Sequence, residues 1–218
     1  MREPAPLFLV ALRLEGLACL VVGAGRVATR KAASLLESGA LVTVIAPDVC
    51  AEVEQLEVTL VRRAYEPGDA ACYRLVVTAT GVPEVDRAVF RDAESAGVLV
   101  NAADNPEACR FLLPSVLRRG PVSIAVSTAG TSPYLATWLR HRVGELVGPE
   151  FAAVAGLLGG ARRALKDAGC STEGADWSAL LNDEWISVVA SGRREEAEAL
   201  LEAWLGDELR RLSERQLI

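Results

Sequence analysis

The sequence predicts an α/β protein: a parallel, doubly wound sheet, then a short strand–helix segment, then a helical C-terminal part. Three observations carry that expectation. Apolar runs of strand length recur through the first hundred residues, with helix-length segments between them. The first strand–helix turn reads Gly23-Ala24-Gly25-Arg26-Val27-Ala28. From Pro149 onward the pattern turns almost entirely helical.

LACLVV (17–22) is a continuous Val- and Leu-rich run, as expected of a strand buried on both faces. The segment that follows carries apolar Val27, Ala28, Leu35 and Leu36 among polar positions, and Gly39 is its stop signal. LVTVIA (41–46) is the second strand, VCAEVEQLE a short helix and VTLVRR (58–63) the third strand. LVVTAT (75–80) is the fourth, VPEVDRAVFRDAESAG a helix ending at Gly97, and VLVNAA (98–103) the fifth. Strands alternating with helices of this length imply right-handed crossovers in one parallel sheet. Residues 115–128 then hold two adjacent strands broken by Gly120-Pro121, and TSPYLATWLRHRVGELVG is a helix starting at Ser132-Pro133. Three helical stretches follow: FAAVAGLLGGARRALKDAG, DWSALLNDEWISVVA and REEAEALLEAWLGDELRRLSERQL. The expected parts are residues 1–113, a nucleotide-binding domain of Rossmann-like type; 114–148, the strand–helix segment; and 149–218, the helical domain.

The chain has 218 residues, of which 51% are hydrophobic and 24% charged, which excludes a disordered or fibrous protein. A net charge of −6 argues against wholesale binding to nucleic acid or an anionic membrane. The five cysteines are scattered, none at C-x-x-C spacing, and His141 is the sole histidine, so neither a disulfide framework nor a structural zinc site is expected. No apolar run reaches the ~18 residues of a spanning helix, and the N-terminus has no export pattern, so a cytoplasmic location is expected. Charge is uneven. Residues 1–148 carry 15 basic against 16 acidic side chains, and residues 149–218 carry 8 against 13. No acid lies between Glu107 and Glu145, where Arg110, Arg118, Arg119, Arg140 and Arg142 form a basic island. That island is either a site for a polyanionic small molecule or a solvated surface.

Gly23 to Ala28 fit G-x-G-x-x-A in the context that motif needs. Gly23 permits the tight turn, Gly25 lets a pyrophosphate approach the backbone, and Ala28 lets helix and strand pack closely. The helix N-terminus then presents free N–H groups to the phosphates. A ribose-binding acid is missing at the end of the second strand, where the sequence reads Ala46-Pro47 and the nearest acid is Asp48. No arginine follows directly to hold a 2′-phosphate, because Arg62 and Arg63 lie on the next strand, so NAD is favoured over NADP. Asp48 either touches the nucleotide or caps the next helix. Thr80 and Asn101, on the fourth and fifth strands, complete the expected cofactor set.

Asp104, in Asn101-Ala102-Ala103-Asp104-Asn105-Pro106, follows the fifth strand at the edge where ligands bind in open α/β sheets. A carboxylate there can exchange a proton beside a nicotinamide, or it can be a turn residue. Ser127 to Pro133 form either an anion-receiving turn or a plain helix cap at Ser132, and the two are compatible. His141, between two arginines, reads as a surface residue, and Trp138, Trp177, Trp185 and Trp204 as core or interface anchors.

These residues, in this order, resemble the precorrin-2 dehydrogenases of sirohaem synthesis, including the N-terminal module of sirohaem synthase. The resemblance covers residues 5–165 and is carried by N-x-x-D before a proline turn, then F-x-x-P-S, then A-V-S-T-x-G-T-S-P. It implies oxidation of precorrin-2 to sirohydrochlorin with hydride passing to NAD. It assigns Asp104 an acid/base role, and assigns nucleotide contacts to Arg26, Val27, Pro47 and Asp48, beside Gly23, Ala24 and Gly25 of the motif. The residues themselves, not the resemblance, put Arg110, Phe111, Ser115, Thr128, Thr131 and Ser132 on the substrate side. The resemblance implies a homodimer, with 114–148 as the dimerisation segment. Bifunctional members also take ferrous iron as a transient substrate; the scarcity of soft ligands here favours dehydrogenation alone, with no resident metal. Thr128 and Ala129 replace a serine and a glycine of the family pattern, which leaves any serine chemistry there open. The rival reading is a non-catalytic NAD-sensing module, which would call for an acid at Ala46 and no basic island.

Overall fold

The computed structural model describes residues 6–103, 105 and 108–216. Two compact units divide the chain, Met1–Leu113 and Pro114–Ile218.

The first unit is built on β1 (Ala18–Val22), β2 (Leu41–Ile45), β3 (Thr59–Val61), β4 (Leu75–Thr78) and β5 (Leu99–Ala102). All pairs are parallel, in the order β3-β2-β1-β4-β5. The central strand β1 buries Cys19 to Val22 almost completely, because both faces are covered. Helices α1 (Arg26–Glu37) and α2 (Ala51–Glu54) bring Ala28, Ala32, Leu35 and Val53 onto one face. Helix α3 (Pro83–Ser95) and a 3-10 turn at Asp69–Cys72 bring Val89, Ala93 and Ala70 onto the other. The order of strands reverses between β1 and β4, which opens a crevice at their carboxyl ends.

The sequence overstates β3 and misses the 3-10 turn. The reason is local. Arg63 donates twice to Asp69, at 2.7 Å each, and the Glu66 N–H donates to the same carboxylate, so the chain leaves the sheet right after Val61.

In the second unit β6 (Ser115–Arg119) and β7 (Val122–Val126) form an antiparallel pair. Gly120 turns between them at φ 56°, a conformation that favours glycine. Helix α4 (Pro133–Leu146) starts with Pro133 in its first turn and with the Ser132 hydroxyl accepting from the Leu135 N–H at 3.2 Å. Then come α5 (Phe151–Asp167), α6 (Trp177–Leu180), α7 (Asp183–Ala190) and α8 (Arg194–Gln216). The sequence reads α6 and α7 as one helix. They are two, because Asn182 caps the second by accepting from the Trp185 N–H at 2.9 Å. Trp185 and Trp204 are buried beside Leu165 and Leu201, and Trp177 packs against them. Each of these indoles donates to a main-chain carbonyl, those of Ala197, Asp176 and Thr172 respectively. Trp138 differs: it is 50% exposed on α4, with the Arg142 guanidinium 5.9 Å from its ring. No single helix among the described residues is long and apolar enough to cross a membrane; α4 and α5 pass that test only as a pair bent by 69°.

Candidate functional site

The loop after β1 is shaped by contacts that only glycine allows. Gly23 has φ 104° and donates its N–H to the Ile45 carbonyl at 2.9 Å. A β-carbon there would stand 2.5 Å from the Ala79 carbonyl oxygen. Gly25 is different. A β-carbon at Gly25 would meet nothing within 4 Å, so the space over its backbone is open. Gly25 is also the N-cap of α1 and supplies no side-chain cap. The first-turn N–H groups at Arg26, Val27 and Ala28 have no intrahelical acceptor, and no acid sits in that turn. Ala28 is buried against the sheet, while Arg26 and Val27 are exposed. Open space, unpaired donors and a positive helix end fit the pyrophosphate of a dinucleotide.

At the end of β2, Ala46 is buried and Pro47 and Asp48 are exposed. Asp48 does not cap α2: the N-cap is Cys50, without a side-chain bond. The Cys50 N–H donates instead to the Ala24 carbonyl at 3.3 Å, which ties this loop to the glycine turn.

The loop after β4 holds a polar cluster that sequence reading missed. The carboxylate of Asp86, in the first turn of α3, accepts from the hydroxyl of fully buried Thr78, from the Thr80 hydroxyl at 2.8 Å and from the Thr80 N–H at 3.3 Å. The Val82 N–H in turn donates to the Thr80 hydroxyl at 3.0 Å. Thr80 therefore shapes the loop. An acid in the first turn of a predicted helix was the available signal, but it does not say which threonines it would meet.

After β5 the chain doubles back. Asn101 is 6% exposed, and its amide donates to the Phe111 carbonyl at 2.9 Å and to the Cys109 sulfur at 3.3 Å. The Cys109 sulfur also accepts from the Ala102 N–H at 3.2 Å and lies within donating distance of the Ala102 and Asn105 carbonyls. Burial pushes this thiol above its ordinary pKa, which favours the neutral, donating form. Asn101 and Cys109 are thus bonded to each other and to the main chain at Phe111 and Ala102. Asp104 itself lies outside the described residues. Phe111 packs against the α1 side of the core, and Arg110 pairs with Glu94 of α3.

In the second unit the Thr128 hydroxyl donates to the Ser132 carbonyl at 3.0 Å and accepts from the Ser132 N–H at 3.1 Å. With Ser132 capping α4, this is the plain cap reading realised. Thr131 is exposed beside it, and Ala129 takes a positive φ of 52°. The Ser115 hydroxyl accepts from Arg140 at 3.1 Å, and Arg140 also lies 2.9 Å from the His141 ring nitrogen. Arg119 donates to the Val147 carbonyl, and Arg142 pairs with Glu145 at 2.9 Å. The basic island is partly neutralised from within the fold, since Arg110 and Arg142 have acidic partners. Among the described residues no three His, Cys, Asp or Glu side chains converge as a metal site.

Comparison with known proteins gives these residues a context. Residues 10–115 match a family described as "Putative NAD(P)-binding", and residues 119–146 match the sirohaem biosynthesis protein central family. The chain is 37% identical over 198 residues to the sirohaem synthase of Methylococcus capsulatus, covering 88% of this chain and 42% of that protein. It is 36% identical over 201 residues to that of Thioalkalivibrio sulfidiphilus, covering 89% and 41%. The chain thus spans less than half the length of these relatives. A solved structure of SirC, a precorrin-2 dehydrogenase, superposes with a TM-score of 0.75 at 26% identity, covering 90% of this chain and all of that one. On sequence and fold together, this chain is similar to part of the sirohaem synthases and to the precorrin-2 dehydrogenase SirC.

Proposed function

We propose that this chain oxidises precorrin-2 to sirohydrochlorin with NAD as the hydride acceptor. The observation that carries this reading is the open backbone at Gly25, over the unpaired N–H groups of α1 and at the strand reversal between β1 and β4. Gly23 and Gly25 shape the turn, and the N–H groups of Arg26, Val27 and Ala28 bind the pyrophosphate. Pro47 and Asp48 face the adenosine side. The bound nucleotide supplies the hydride acceptor. Precorrin-2 loses two hydrogens in becoming sirohydrochlorin, one as a hydride and one as a proton. Asp104 takes the proton. Arginine side chains of the basic island are the candidates for the carboxylates of the substrate. Two copies of the chain pair through the α4 region, where Tyr134 is 83%, Trp138 50% and Leu146 81% exposed.

The test mixes purified protein, precorrin-2 and NAD, and follows NADH together with the sirohydrochlorin spectrum. Asp104→Ala is expected to abolish turnover while NAD still binds by calorimetry. Turnover at the unaltered rate would remove Asp104 from the mechanism. Ferrous or cobaltous ion added to the product tests metal insertion separately.

A further inference from the structure

The end of β2 lacks the carboxylate with which many dinucleotide sites accept a 2′-hydroxyl and repel a 2′-phosphate. Ala46 occupies that position, buried and without a polar side chain, and Pro47 follows. Discrimination at the 2′ position must come from another group.

The neighbouring strand supplies the candidate. Ile45 pairs with Val61, and the Ala46 N–H donates to the Val61 carbonyl at 3.2 Å. Arg62 therefore follows alongside Ala46, one inter-strand spacing away, about 4.8 Å. A 2′-phosphate at this edge would find Arg62 within reach of its long side chain. The guanidinium is instead paired with the carboxylate of Glu54, the last residue of α2. The next cation, Arg63, is engaged through two nitrogens by Asp69. Arg26, at the start of α1, contributes to holding the Glu52 carboxyl below its ordinary range, behind the larger effects of the Glu52 main-chain N–H and the Cys50 thiol. Glu54 thus engages the Arg62 cation on this side of the glycine turn, and Glu52 feels the charge of Arg26.

We propose that Glu54 sets the preference for NAD over NADP by occupying Arg62, the cation a 2′-phosphate would otherwise take. This rests on the nucleotide reading above and assigns α2 the work of the absent ribose acid. With Glu54 in place the pair is locally neutral, and an incoming phosphate meets a carboxylate. With the charge of Glu54 removed, Arg62 presents an unopposed cation, suited to a charge-assisted bond to phosphate.

The test is calorimetric titration of the full chain with NAD and with NADP, without substrate. The unaltered protein is expected to bind NAD more tightly. In Glu54→Gln, NADP binding tightens roughly tenfold, while NAD affinity stays within about twofold, which also reports an intact fold. The gain is lost in the Glu54→Gln, Arg62→Ala double variant, and it shrinks as salt rises from about 50 to 300 mM. Unchanged NADP affinity in Glu54→Gln overturns the proposal, as does a gain that survives loss of Arg62. Loss of NAD binding in Glu54→Gln also overturns it, because Glu54 would then act on binding in general. If the unaltered protein binds neither nucleotide, the cofactor reading itself fails.

Discussion

Gly23 and Gly25 are two residues apart and do different work. A methyl group at Gly23 would meet the Ala79 carbonyl oxygen at 2.5 Å, on a backbone already at φ 104°. Gly23→Ala is therefore expected to destabilise the first unit by at least about 2 kcal/mol, through strain and displacement of the β4 loop. Thermal unfolding and NAD titration check this, and both should fall. Gly25→Ala has room within the protein, so it should leave stability nearly unchanged and weaken the nucleotide alone. The motif was legible in the sequence because its spacing is local. The difference between its glycines was not, since the Ala79 carbonyl comes from the loop after β4, more than fifty residues away. Cys109 is a similar case. It reads as one of five scattered thiols, yet its sulfur bonds to Ala102 and Asn101.

The turn from β4 into α3 depends on one carboxylate. Asp86 collects the hydroxyls of Thr78 and Thr80 together with a main-chain N–H. Asp86→Ala leaves the Thr78 hydroxyl fully buried without that acceptor, at a cost of roughly 2 kcal/mol, and lets the loop beside Gly23 loosen. Unfolding by denaturant should show the loss, with a weaker affinity for NAD. Helix α8 carries a counterpart in the second unit. Glu208 is 6% exposed, accepts from the Asp176 N–H at 3.2 Å and pairs with Arg211, which also donates to the Gly174 carbonyl. Hydrogen bonds from Arg211 in first place hold the Glu208 carboxyl below the ordinary carboxylate range, against the opposing effect of burial. A depressed folded-state pKa gives stability that is complete above the unfolded value, about 4.3, and is lost as pH falls through the folded value. Glu208→Gln should flatten that acid limb of stability, measured by thermal unfolding between about pH 2 and 6.

The two units solve burial differently. The first covers both faces of a Val-rich sheet, and the second packs helices around tryptophans whose N–H groups are bonded to main-chain carbonyls. Apolar groups also remain exposed on α4, and the second copy proposed to cover them predicts a measurable change of mass. Trp138→Glu should shift the protein from dimer to monomer in sedimentation, while its helical circular dichroism is kept. A dimer that persists in this variant would move the interface elsewhere. The net charge of −6 carries no information on these faces, because charge counts ignore which partners the fold supplies.

The chain's own residue order determined the strand and helix succession, the parallel sheet, the glycine turn and the cap at Ser132. Those follow from periodicity and local backbone chemistry, which act over a few neighbouring residues. Tertiary structure alone decided that Asp86 serves Thr78 and Thr80, that Glu54 takes Arg62, that Arg110 goes to Glu94, and that Asp48 is exposed and does not cap α2. Each of those pairings joins groups brought together by separate elements, and spacing along the chain carries no signal for a hydrogen bond closed across a sheet edge.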